Sequence, residues 1–82
     1  MREMLVEIYV PSLGCGFDVS IPRKIKIAEL LHLVTTAIDK LSDGLFISSD
    51  PILCDDTTGV IYENNMTVDD VQLKNGSRLI LI

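Results

Sequence analysis

Thr67-Val68-Asp69-Asp70-Val71-Gln72-Leu73-Lys74-Asn75-Gly76-Ser77-Arg78-Leu79-Ile80-Leu81-Ile82 is the stretch from which the architecture is read. A threonine followed three positions later by an acid is a capping-box signal, so Thr67 to Val71 reads as a short helical turn. Asn75-Gly76 is tight-turn chemistry. Arg78 to Ile82 then closes the chain as a strand. Side chains alternate along a strand, so if Leu79 and Leu81 face a core, Ile80 and Ile82 face the other side of the sheet.

The same alternation appears at the front of the sequence. Val6, Ile8 and Val10 alternate with Glu7 and Tyr9, and Phe17, Val19 and Ile21 alternate with Asp18 and Ser20. These are two half-buried strands. Pro11-Ser12-Leu13-Gly14-Cys15-Gly16 between them is the loop of a β-hairpin. Its Gly-x-Gly is no phosphate loop, because no helix follows Gly16 to aim backbone amides at an anion. From Ile27 the period changes. Ile27, Leu30, Leu31, Val34, Ile38 and Leu41 recur at steps of three and four, which predicts one amphipathic helix of about four turns. Gly44 is its expected left-handed cap. Leu45-Phe46-Ile47 has no distinct period, and Ser48-Ser49-Asp50-Pro51 is turn chemistry. Short strands are expected at Ile52 to Cys54 and at Val60 to Tyr62, separated by the polar turn Asp55 to Gly59.

With a single long helix, only one face of the sheet can be covered. A right-handed crossover from the second strand brings the last strand beside the first, parallel to it. The expected fold is α+β: a β-grasp, with a mixed four- to five-stranded sheet and one main helix on one face. Residues 1–82 form one domain.

Composition narrows the function. Of the 82 residues, 48% are hydrophobic and 23% charged, a globular balance. Twelve acids against seven bases give a net charge of −5, which repels phosphate backbones, so nucleic acid is not an expected partner. No apolar run approaches a membrane span, and Glu3 and Glu7 interrupt the region a signal peptide would need, so a soluble cytoplasmic protein without membrane insertion is expected. Cys15 and Cys54 lack metal-ligand spacing and read as reduced structural thiols. The sequons at Asn65 and Asn75 would matter only in an exported protein. His32 reads as a helix surface or boundary residue and not as a catalytic base. Asp55-Asp56 and Asp69-Asp70 read as solvated turns and a helix start and not as metal ligands. Arg23, Lys24 and Lys26 form the one basic cluster, read as a solvated connection with the docking of an acidic partner as the sharper alternative. No cofactor, metal or catalytic site is expected, and an independent enzyme is the last reading.

From Gly59 onward the chain resembles ubiquitin through Gly59, Glu63, Thr67, Val68, Asp70, Leu73, Ser77, Leu79 and Leu81, with Leu13 matching a leucine of the first hairpin. The phrase Ile21-Pro22, the Asp70-to-Leu79 block and the overall length are similar to the YukD/EsaB-type proteins. These are small ubiquitin-like components of the type VII (WXG100) secretion systems of Gram-positive bacteria. The resemblance implies a non-enzymatic accessory or regulatory protein that docks on the secretion ATPase or another membrane component, which would recruit it to the inner face of the membrane. Ubiquitin recognises partners through its open sheet face. The matching positions make Leu13, Leu53, Ile80 and Ile82 the candidate protein-binding patch, with a homodimer through such a patch left open. Two alternatives stand beside this reading. One is a ubiquitin-fold subunit of a multicomponent oxygenase. The other is a sulfur carrier or modifier, disfavoured because the sequence stops at Ile82 without the Gly-Gly tail such proteins use.

Overall fold

The computed structural model describes residues 3–46 and 50–82. Five elements follow in order: β1 (Glu3–Val10), β2 (Cys15–Pro22), α1 (Ile27–Leu41), β3 (Leu53–Asp55) and β4 (Arg78–Leu81). The two alternating runs pair as an antiparallel hairpin, with Val6 opposite Val19 and Ile8 opposite Phe17. β4 lies beside β1 in parallel register, Ile8 against Leu79, and β3 pairs antiparallel with β4, giving the sheet order β2-β1-β4-β3. Asn75 and Gly76 fix that central register. The Leu5 N–H donates to Asn75 Oδ1 at 2.8 Å, and the Gly76 N–H donates to the Leu5 carbonyl at 2.9 Å.

One face of this sheet carries α1. Ile27, Leu30, Val34 and Ile38 are buried on the helix, and Met4, Val6, Ile8, Val10, Ile21, Leu53, Leu79 and Leu81 meet them from the strands. The stripe is narrower than the periodicity predicts. Leu31 is half-buried and Leu41, at the end of the last turn, is exposed. Lys26 precedes the helix and offers no side-chain acceptor, so the free amides of the first turn go elsewhere. Ile27 N–H donates to the Met66 carbonyl at 2.7 Å and Ala28 N–H to the Asn64 carbonyl at 3.3 Å. The loop before Thr67 thereby caps the helix.

Several expectations are corrected. Gly44 is left-handed as expected, at φ 78°, but Asp43 before it, at φ 54°, is left-handed as well. Gly44 N–H donates to the Asp39 carbonyl at 2.8 Å and Asp43 N–H to the Lys40 carbonyl at 3.3 Å, the two bonds of a Schellman motif. β3 begins one residue later than expected. Val60 to Tyr62 is no strand: a single bridge joins Ile61 to Cys54, because Gly59 turns the chain back so tightly that only one rung forms. Thr67 to Val71, by contrast, forms the single turn expected, closed by Val71 N–H to the Thr67 carbonyl at 3.3 Å. Cys54 is buried as a structural thiol, whereas Cys15 is exposed at the hairpin end. Ile47, Ser48 and Ser49 lie outside the described residues.

Candidate functional site

Residues paired across a ladder share a face, so the register defines what the uncovered side of the sheet displays. One row runs Gly16, Tyr9, Ile80, Cys54, and the row beside it runs Asp18, Glu7, Arg78. Ile52 and Ile82 continue the face past the last ladder pair. The Ile82 N–H donates to the Ile52 carbonyl at 2.9 Å and the return bond measures 3.2 Å. Across the middle, Arg78 Nε donates to Glu7 Oε1 at 3.1 Å, with both side chains in solvent.

Ile82 is 60% exposed, Tyr9 and Ile52 are also exposed, and Ile80 is half-buried between them. Leu79 and Leu81 are fully buried on the opposite side, as alternation requires. The apolar strip on this face is therefore Tyr9, Ile80, Ile52 and Ile82, with Ile61 at its edge through the bridge to Cys54.

Two of the four expected patch residues stand elsewhere. Leu53 pairs with Leu81 and is 1% exposed, so it belongs to the core beneath the helix and is not available to a partner. The pairing of Leu53 with the inward-facing Leu81 is the cause, because residues paired across a ladder share a face. Leu13 sits in the hairpin loop, half-buried against the core. Ile80 and Ile82 remain on the open face. Sequence reading missed Tyr9 and Ile52. Tyr9 was within reach, since the inward set Val6, Ile8 and Val10 turns it outward by parity.

Next to this face, the segment 55–62 folds back beside β3. Asp55 Oδ2 accepts from the Thr58 N–H at 2.7 Å and from the Thr58 hydroxyl at 2.8 Å. These bonds hold the Asp55 carboxyl below the usual carboxylate range. The Tyr62 hydroxyl donates to Asp55 Oδ1 at 3.5 Å, and burial together with that negative charge pushes the phenol up to about 12. Burial, with Asp55 and Asp56 nearby, also raises the Cys54 thiol, which keeps it protonated and poorly nucleophilic at neutral pH. Cys54 Sγ instead points at the Ile80 carbonyl, 3.7 Å away. His32 is exposed on the helix. Among the described residues no three His, Cys, Asp or Glu side chains gather in a metal-holding group, and no helix is long and apolar enough to cross a membrane. The arrangement offers apolar contact flanked by charge, which is the chemistry of recognition.

No protein-family model matches the sequence, and no curated protein matches it. Solved structures do match in shape. The whole chain superposes on 99% of the ubiquitin-like domain of the Mycobacterium tuberculosis type VII secretion system protein ECCD1, with a TM-score of 0.76 and 14% identity. The fold is ubiquitin-like. The UBL domain of Plasmodium falciparum Dsk2 matches 96% of the chain over 95% of its own, at TM-score 0.74 and 16% identity. The ubiquitin-like domain of Arabidopsis thaliana protein At2g32350 matches all of the chain over 78% of its own, at TM-score 0.75 and 13% identity. Identities this low speak for the ubiquitin-like fold alone, so function rests on what its surface displays.

Proposed function

We propose that this ubiquitin-like protein is a non-enzymatic accessory or regulatory component of a bacterial type VII secretion system, of the YukD/EsaB type, and that it works by docking. The observation that carries the reading is the apolar strip of Tyr9, Ile80, Ile52 and Ile82 on the sheet face opposite α1. Aliphatic surface held in water gains about 25 cal/mol per Å² when a partner covers it, and a preformed sheet loses little conformational freedom in the process. The Glu7–Arg78 pair borders the strip and gives it a polar rim of both signs. The proposed partner is the secretion ATPase or a neighbouring membrane subunit, which would hold the protein at the inner membrane face. The resemblance of Ile21-Pro22, the Asp70-to-Leu79 block and the overall length to YukD/EsaB-type proteins supports the secretion assignment, and so does the likeness in shape to a type VII secretion domain.

The test is capture of the tagged protein from detergent-solubilised membranes of its host, with mass spectrometry of what co-purifies. The expected result is recovery of a secretion subunit by the native protein and loss of it in an Ile80→Glu, Ile82→Glu double variant that keeps its circular dichroism spectrum. Recovery of oxygenase or sulfur-transfer proteins in its place would overturn the secretion assignment. Undiminished recovery by the variant would overturn the open face as the site.

A further inference from the structure

A second surface lies beyond the edge of β3, where segment 58–62 passes over the turn that starts at Thr67. A groove of about 370 Å³ opens there, walled by Val60, Ile61, Tyr62, Met66 and Val71, with Asp55 at its side. Met66, Val71 and Tyr62 form a floor that is already packed against the core, so the groove is preformed. Its lip is apolar: Ile61 is 59% exposed and Val60 nearly as much.

The segment that builds it carries charge of one sign, while Lys26, bridged to Thr67, and Arg78, beside Asp56, approach it from other parts of the chain. Residues 55–72 contain Asp55, Asp56, Glu63, Asp69 and Asp70 and no lysine or arginine. Those five account for the whole net charge of −5, because the rest of the chain balances seven acids against seven bases. Asp55 is the acid that lines the groove. Its Oδ2 accepts twice from Thr58 and its Oδ1 lies 3.5 Å from the Tyr62 hydroxyl, and an ionised carboxylate, with about four acceptor positions, retains capacity to accept from a cation.

We propose that this groove docks a basic segment of a partner protein, with one aliphatic side chain of the segment seated against Ile61, Tyr62, Met66 and Val71 and a flanking lysine or arginine on Asp55. Ile61, bridged to Cys54, joins the groove to the edge of the open sheet face, whereas Tyr9, Ile80 and Ile82 lie outside its lining, so the two proposals are tested by different variants. The apolar anchor supplies the affinity that distinguishes one basic segment from another, and the surrounding acids steer its approach.

The experiment uses a fluorescein-labelled decapeptide with a central leucine flanked by arginines, a matched peptide with serine in place of leucine, and one with glutamates in place of the arginines. Anisotropy titrations and ¹⁵N-HSQC spectra of the full chain report binding and its location. The leucine peptide should bind about tenfold more tightly than the serine peptide, the factor expected for one buried aliphatic anchor. Its shifts should fall on residues 55–72. Ile61→Glu should weaken binding by at least about as much, since it replaces the anchor contact and desolvates a charge. Asp55→Asn should weaken it and reduce its salt dependence, whereas Ile80→Glu should leave it unchanged. Equal affinity of the serine peptide, shifts centred on Tyr9 and Ile80, or no binding would each overturn the proposal.

Discussion

Thr67 and Asp70 satisfy each other's backbone. The Thr67 N–H donates to Asp70 Oδ2 at 3.0 Å, and the Asp70 N–H donates to Thr67 Oγ1 at 3.0 Å. The reciprocal pair pins the turn from which Val68 drops into the core, fully buried, with its N–H on the Ile25 carbonyl at 2.9 Å. Removing either side chain should cost about 1 kcal/mol, the usual worth of a capping contact. Thr67→Ala, Asp70→Ala and the double variant, compared by urea denaturation, should show that the second loss costs less than the first. Strict additivity would mean that the two bonds act independently.

Leu53 and Ile82 separate core from surface within a few residues of chain. Leu53→Ala should lose about 2–5 kcal/mol, as emptied aliphatic core sites do. Ile82→Ser, on the open side, should change stability by no more than about 0.5 kcal/mol. Thermal melts of the two variants check this, and equal destabilisation would contradict the register of β3 against β4.

Asp43 holds a left-handed backbone at φ 54°, a conformation that costs most L-residues about 1–2 kcal/mol and glycine almost nothing. Asp43→Gly should therefore stabilise the protein, by about 0.5–1 kcal/mol once the looser unfolded chain is counted. A melting temperature below that of the native protein would show that the aspartate side chain contributes something the glycine cannot.

Tyr62 ties stability to alkaline pH. Its phenol sits at about 12 in the folded protein, above its ordinary value of 10.0, so folding favours the protonated form. The unfolded chain releases that proton first. The contribution is complete below pH 10 and declines as pH rises from about 10 toward 12. Tyr62→Phe should flatten this decline in a series of melts between those values, and an unaltered slope would assign the alkaline loss to other groups. Asp55 acts in the opposite sense. Its lowered carboxyl stabilises the fold above its ordinary pKa of 3.8, and that contribution is lost as pH falls below it.

The parts of this architecture that were legible in sequence are those in which one local rule acts alone. β1 and β2 follow period two without competition, and α1 follows a clean stripe from Ile27 to Ile38. The parallel pairing of β1 with β4 then follows from having a single helix to cover a single face. The segment 52–62 was less legible because its structure is set by long-range bonds. Asp55 N–H donates to the Val60 carbonyl at 2.9 Å and Tyr62 N–H to the Leu53 carbonyl at 3.0 Å, so the chain runs antiparallel beside β3 for the single rung Cys54–Ile61 and no further. In a run such as Ile52-Leu53-Cys54, all apolar, no alternation marks which residue faces inward. Pairing with Ile80 and Leu81 decides it, and that misplaced Leu53. The left-handed Asp43 was hidden for a related reason: Gly44 beside it is the residue type that normally takes the position.

The two middle strands of the sheet lie at opposite ends of the sequence, with Glu7 beside Arg78, 71 residues apart. A ribosome adding about 5–20 residues per second needs roughly 4–14 s to cover that interval. Throughout it the nascent β1–β2 hairpin has one flank of β1 without its neighbour. The open face is complete only once β4 reaches β1, and a chain truncated before Arg78 has an open edge prone to self-association in place of a weaker binder.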